Sequence, residues 1–210
     1  MINFLLKFFV LVHNQAYRVI TKLAVKRNHG LHPKHQILRY SQFFLDNINS
    51  SNQILDIGCG NGQVAYELAQ KAQTVVGIDK NEKNIQYAKI HFRRANLQFI
   101  EGDALAYKFI NQFDQVVLSN VLEHISDRIA FLQGLHSLTN VILLRVPMLD
   151  RDWLAVYKKE LGLEYRLDRT HYIEYTIKSL TNELKLSGWH LDNYSIQFGE
   201  LWGVLKENYY

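Results

Sequence analysis

The chain has 210 residues, 48% of them hydrophobic, which is enough for one well-buried core and a small appendage. Two prolines, eleven glycines and no low-complexity stretch exclude a linker-joined array, and the single cysteine, Cys59, excludes an intrachain disulfide and points to a cytoplasmic setting. The net charge of +4 is uneven: the first 45 residues carry seven basic side chains and no Asp or Glu, leaving 17 basic residues against all 20 acidic ones in the remainder.

Residues 2–12 are apolar except for Asn3 and Lys7, but His13, Asn14 and Gln15 end the run well short of the roughly 20 residues of a membrane span. No small-x-small cleavage site follows. Leu5, Phe9, Val12, Ala16, Val19 and Leu23 recur at spacings of three and four, which predicts an amphipathic helix. Two readings of it stay open: docking on the domain's own core, or reversible peripheral contact with anionic lipid headgroups at the inner membrane face.

A second helix is predicted over 37–48, after which short β-rich runs alternate with helical ones. Strands are expected over 53–57, 74–78, 97–100, 113–119 and 140–146. The helices between them are expected over 62–71, from the Asn81 cap to Arg93, and over 127–137. Alternation at these lengths calls for a parallel sheet with right-handed crossovers and helices on both faces. A helix over 175–187 and strands over 189–197 and 201–206 complete the chain. The link between those two strands is too short for a parallel crossover, which needs about a dozen residues, so they form an antiparallel hairpin. The expected fold is α/β, a doubly wound seven-stranded sheet, mostly parallel with the last strand antiparallel, the reversed strand closing its edge. Residues 1–50 read as a basic helical arm or cap on a domain spanning 51–210, and 147–172, with Trp153, Tyr157, Tyr165, Arg166 and Arg169, read as a lid-like insertion.

The segment Ile54-Leu-Asp-Ile-Gly-Cys-Gly-Asn-Gly62 joins the first strand to its helix, and its glycines let the backbone turn tightly and approach a ligand. Gly60-Asn-Gly62-Gln-Val-Ala65 also satisfies the dinucleotide pattern, in which a helix N-terminus receives a pyrophosphate. An NAD(P)-dependent oxidoreductase is therefore a competing reading, and a non-catalytic binding subunit on the same fold is another. Acidic residues at successive strand ends separate them: Asp56 inside the glycine segment, Asp79 ending Val75-Val-Gly-Ile-Asp79, and Asp103 in Phe99-Ile-Glu-Gly-Asp-Ala104. Strand carboxyl ends open onto one crevice in such sheets. Three carboxylates there suit a ligand with a sulfonium, an ammonium and a ribose better than a diphosphate.

On these residues, together with Ser119-Asn-Val-Leu-Glu-His-Ile125 after the fourth strand, the sequence resembles the class I S-adenosylmethionine-dependent methyltransferases, in particular their small-molecule group. The resemblance implies a Rossmann-like fold with S-adenosyl-L-methionine as cofactor. Gly58, Cys59 and Gly60 are then expected at its methionine part and Asp79 at the ribose hydroxyls with Lys80 alongside. Asp103 and the amide of Ala104 are expected at the adenine, and Asn120 beside the methionine carboxylate or amine. Cys59 serves as a small neutral side chain, since no His or basic residue neighbours it.

Methyl transfer from a sulfonium is an in-line displacement, so alignment and water exclusion are the main tasks, and a base is needed only where the acceptor loses a proton. His124 and His171 are the two candidates, because imidazole titrates near neutrality. Lys34, Arg39 and Tyr40 are candidates for a cap over the cofactor. No residues are assigned to a metal. The expected acceptor is a small molecule, a glycolipid or a sugar-linked intermediate, methylated on oxygen. Nucleic acid is disfavoured by the net negative charge beyond the arm and the lack of a stacking platform.

Overall fold

The computed structural model describes residues 2–28, 32–104, 106–110 and 112–208. In chain order the helices are α1 (Ile2–Arg27), α2 (Pro33–Ile37), α3 (Gln42–Asp46), α4 (Gln63–Leu68), α5 (Glu82–His91), α6 (Arg128–Gly134), α7 (Trp153–Glu160) and α8 (Ile177–Leu186). The strands are β1 (Gln53–Ile57), β2 (Thr74–Asp79), β3 (Leu97–Glu101), β4 (Gln115–Ser119), β5 (Val141–Pro147), β6 (Trp189–Gln197) and β7 (Glu200–Glu207). The chain divides into two compact units, one of Met1–Tyr40 with Asp152–Tyr165 and one of Ser41–Arg151 with Arg166–Tyr210.

In the first unit α1 and α7 are joined by polar contacts. Lys158 Nζ donates to Asn14 Oδ1 at 2.7 Å, and Asn14 Nδ2 donates to the Glu164 carbonyl at 3.0 Å. The helical part of the expected 147–172 insertion therefore groups with the arm, and residues 166–172 stay with the sheet. The arm itself ends at Tyr40. The single helix predicted over 37–48 is two helices, because Pro33 starts the first one early and Arg39 takes a left-handed φ of 45° that ends it. The Tyr40 ring stacks on His35 with centroids 4.2 Å apart.

The second unit is a seven-stranded sheet in the order β3-β2-β1-β4-β5-β7-β6. Strands β1 to β5 run parallel, and β7 is antiparallel to both β5 and β6. The expected hairpin is present. Its turn is Phe198-Gly199, with φ of 49° and 74°, the left-handed pair that suits the twist of a two-residue hairpin. The last strand is antiparallel as expected, but it does not lie at the edge where the sequence placed it: β7 pairs with β5 and leaves β6 outermost, with a register shift between Leu191 and Asn193.

Side chains alternate between the faces of the sheet. Leu55, Ile57, Val116, Leu118, Ile142 and Leu144 form one core with Leu132 of α6 and Leu180 and Leu184 of α8. Ile54, Val117 and Leu143, equally buried, point to the other face, where Phe44 of α3 packs 5.8 Å from the Trp202 ring. Local signals set the helix starts. Asn81 Oδ1 accepts the Lys83 and Asn84 amides, Asp127 accepts that of Ala130, and Thr176 and Ser179 form a capping box.

Candidate functional site

The parallel register brings the carboxyl ends of β1, β2 and β4 together, and the glycine turn after β1 is anchored there. The Gly58 and Cys59 amides donate to the Ile78 carbonyl at 2.8 and 3.1 Å, and the Gly62 amide to the Cys59 carbonyl at 3.0 Å. Asp79 Oδ2 accepts the Gly60 amide at 2.9 Å and its Oδ1 accepts that of Asn81 at 2.7 Å. A Cβ on Gly58 would lie 2.7 Å from Val121 Cγ2, whereas one on Gly60 would enter open space. The turn thus passes tightly under the loop after β4 and presents bare backbone to the crevice at Gly60.

Asp56 is buried at 1% exposure, and burial, followed by the charge of Asp79, pushes its carboxyl up to about 8, against a backbone hydrogen bond from Ala65. Its Oδ2 has no hydrogen-bond partner among the described residues. Asn120 is in a left-handed conformation, φ 57°, with its backbone amide donating to the Arg145 carbonyl at 2.9 Å, and its buried Oδ1 is likewise without a partner among the described residues. Burial raises the Cys59 thiol above its ordinary range, with Asp56 and Asp79 adding to the effect, so no thiolate forms there. Asp103 lies exposed just beyond β3, where its carbonyl accepts the Ala106 and Tyr107 amides and turns the chain, with Ala104 half-buried beside it. Lys80 is exposed at the end of β2.

These contacts decide between the two ligand types. The amides of Gly58, Cys59, Gly60 and Gly62 all have acceptors inside the chain, so a diphosphate would find few donors at this turn. Buried side-chain oxygens of Asp56 and Asn120 have no hydrogen-bond partner among the described residues, which fits a ligand carrying an ammonium group.

The two histidines meet. His124 follows β4 in a short 3₁₀ turn, Leu122–His124, and its ring lies 4.7 Å from that of His171 in an edge-to-face arrangement. The segments carrying them are tied by the Tyr172 amide donating to the Glu123 carbonyl at 2.8 Å. His171 Nδ1 lies 3.1 Å from Glu174 Oε1, which also accepts the Leu167 amide, and Arg151 pairs with Glu174 Oε2. His124 Nδ1 lies 3.0 Å from Thr170 Oγ1, which in turn lies 2.8 Å from Asp168 Oδ1. Burial, with the neighbouring His171 second, holds the His124 imidazole below its ordinary range. Among the described residues Glu123, His124 and His171 are close enough for one ligand atom from each to lie within 4.8 Å of the others.

A family model described as a methyltransferase domain matches residues 48–148. Residues 48–148 thus form a methyltransferase domain. The chain's fold superposes on that of magnesium protoporphyrin IX methyltransferase from Synechocystis PCC 6803 with bound SAH. That match has a TM-score of 0.61 and 19% identity, over 94% of this chain and 84% of that one. The chain is 34% identical over 119 residues to ubiquinone biosynthesis O-methyltransferase of Bartonella tribocorum, which is 55% of this chain and 48% of that protein. To the Escherichia coli protein of the same name it is 26% identical over 160 residues, covering 72% and 65%. The chain therefore spans about half of the Bartonella relative's length.

Within the methyltransferase domain, Asp56, Gly58, Cys59, Gly60, Asp79 and Asn120 gather at one end of the sheet, as the sequence led one to expect. His124 and His171, 47 positions apart, are side by side. Sequence reasoning missed Glu123, which is fully buried next to His124, and Glu174, the carboxylate behind His171. Glu174 could have been sought from its spacing of three from His171; no local signal marks Glu123.

Proposed function

We propose that the protein transfers a methyl group from S-adenosylmethionine to an oxygen atom of a small-molecule acceptor. The observation that carries this reading is the pairing of occupied turn amides with partnerless oxygens on Asp56 and Asn120. The O-methyltransferase names of the relatives support oxygen as the atom methylated.

When bound, the cofactor supplies a methyl group activated on a sulfonium. The glycine turn presents backbone to its methionine part, and the Asp56 and Asn120 oxygens accept from its ammonium. Asp79 keeps lone pairs for the ribose hydroxyls beyond the two amides it already holds, with Lys80 beside it. Asp103 and the Ala104 amide serve the adenine. His124 and His171 stand on the acceptor side after β4 and activate the hydroxyl, which must lose its proton near the transition state. Their Nδ1 atoms are engaged with Thr170 and Glu174, which leaves Nε2 as the atom that acts.

A lipid-linked acceptor, glycolipid or sugar-linked, is favoured by one further feature. Leu5, Phe8, Phe9, Val12, Val19 and Leu23 form an exposed apolar stripe along α1, and Lys7, Arg18 and Lys22 border it. No described helix is long and apolar enough to cross a membrane. A helix of this kind lies in the headgroup region of an anionic leaflet.

Thermal unfolding with S-adenosylhomocysteine, NAD and NADP compared side by side tests the reading. At a hundredfold excess over its dissociation constant the true ligand stabilises the fold by about 2.7 kcal/mol, a rise of about 5–10 °C for a chain of this size. A rise with NAD or NADP and none with S-adenosylhomocysteine defeats it.

A further inference from the structure

We propose that Glu123, His124 and His171 form a binding site for a single divalent transition-metal ion, with zinc the ion that best suits two imidazoles and one carboxylate. Each residue offers one ligand atom, and these atoms lie within 4.8 Å of one another. Bonds of about 2.0–2.1 Å in a tetrahedral sphere set ligand atoms roughly 3.3 Å apart, so side-chain adjustment alone closes the three around an ion.

The hydrogen bonds behind the rings give the second, independent reason. Glu174 Oε1 can only accept from His171 Nδ1, since the carboxylate is already paired with Arg151, so the proton of His171 sits on Nδ1 and its Nε2 carries a lone pair. Thr170 Oγ1 directs its proton to Asp168 Oδ1, so it accepts from His124 Nδ1, and the His124 Nε2 carries a lone pair too. A carboxylate or hydroxyl oxygen behind each ring that fixes the tautomer and leaves the other nitrogen to ligate is the outer support metal-ligating histidines almost always have.

The segments that supply the ligands are held together before any ion arrives, through the bond from the Tyr172 amide to the Glu123 carbonyl. Glu123 and His171 are buried while His124 is exposed, so one side of the site faces solvent and a fourth ligand position is open there. Three protein ligands with an open fourth position is the pattern of zinc sites that act on a bound oxygen. The site stands on its own geometry; with an ion bound, both Nε2 lone pairs are occupied, so the ion as a Lewis acid takes over from the free imidazoles the activation of the acceptor hydroxyl, a use that rests on the methyltransferase reading.

Calorimetric titration with zinc chloride of protein stripped by chelator and dialysed into metal-free buffer tests the site. Wild type is expected to bind one zinc per chain, and His124→Ala and Glu123→Gln to bind it at least tenfold more weakly. His124 is exposed, so its variant is expected to melt as wild type without zinc, which keeps the comparison clear of misfolding. No saturable zinc binding in wild type, or wild-type affinity in both variants, overturns the proposal. S-adenosylhomocysteine titrated into the same samples separates the two readings: one zinc bound without S-adenosylhomocysteine binding supports the site and removes the methyltransferase function.

Discussion

The Asp79 carboxylate accepts the Gly60 amide at 2.9 Å, so the end of β2 and the glycine turn after β1 behave as one piece. Asp79→Ala leaves the Gly60 and Asn81 amides without that acceptor. Hydrogen bonds to a charged group contribute about 1.5–3 kcal/mol when buried and less at this half-exposed site, so a loss of about 1–2 kcal/mol is expected. S-adenosylhomocysteine affinity is expected to fall at least tenfold in the same variant. Denaturant unfolding and calorimetry read the two effects, and wild-type affinity in Asp79→Ala would remove this residue from the cofactor site.

Asp56 predicts a pH dependence with a definite sign. Its carboxyl titrates at about 8 in the fold against 3.8 ordinarily, so the native state keeps a proton that the unfolded chain gives up. The ligand-free fold therefore loses stability as pH rises from 4 to 8, and Asp56→Asn flattens that slope. An ammonium placed against the carboxylate reverses its preference. Binding of S-adenosylhomocysteine at pH 7 is then accompanied by release of about one proton, visible as a binding enthalpy that changes with the ionisation enthalpy of the buffer. An enthalpy independent of the buffer would contradict it.

Gly58 and Gly60 both have positive φ, so an alanine at either carries a strain of about 1–2 kcal/mol. They differ in surroundings. At Gly58 the new Cβ strikes Val121, and Gly58→Ala is expected to destabilise the fold further. At Gly60 it meets only open space, so Gly60→Ala is expected to lose cofactor affinity out of proportion to stability. Equal ratios of the two losses in both variants would show that the space beside Gly60 is not used.

His171→Ala is expected to lower turnover by at least tenfold while leaving cofactor affinity within about twofold, because in the proposed reaction its ring acts on the acceptor side. Single-turnover transfer of a labelled methyl group, with cofactor affinity measured on the same sample, checks this. Equal losses in both quantities, or in neither, take His171 out of the chemistry.

The α1 stripe predicts binding to vesicles of phosphatidylglycerol and little to vesicles of phosphatidylcholine, with the difference shrinking as salt rises. Leu5→Glu with Phe9→Glu is expected to abolish co-sedimentation and leave S-adenosylhomocysteine binding intact. Co-sedimentation that survives the double substitution would place the lipid contact elsewhere.

The sheet, and the end of it where glycines and acids gather, were legible from local signals. Glycines and acids cluster within a few residues of each strand end, and caps such as Asn81 and Asp127 stand next to the helices they start. What was hidden depends on contacts distant in sequence. Glu123 looks like one more polar residue after a strand until packing buries it, and Glu174 acquires its meaning only from Arg151 and His171. The split of the second helix turned on a single left-handed residue, Arg39, whose side chain gives no hint of that conformation. The position of the reversed strand was equally hidden, because a short link states that two strands are antiparallel neighbours and not which of them meets the rest of the sheet.

Placing β6 outermost leaves a row of backbone donors and acceptors facing outward along a mostly exposed strand. The shift at Asp192, whose carboxylate pairs with Lys206 at 3.0 Å, interrupts that row with an unmatched residue and a charge. A strand from another molecule that tried to extend the array would lose its pairing there, so the irregularity acts as a guard against self-assembly.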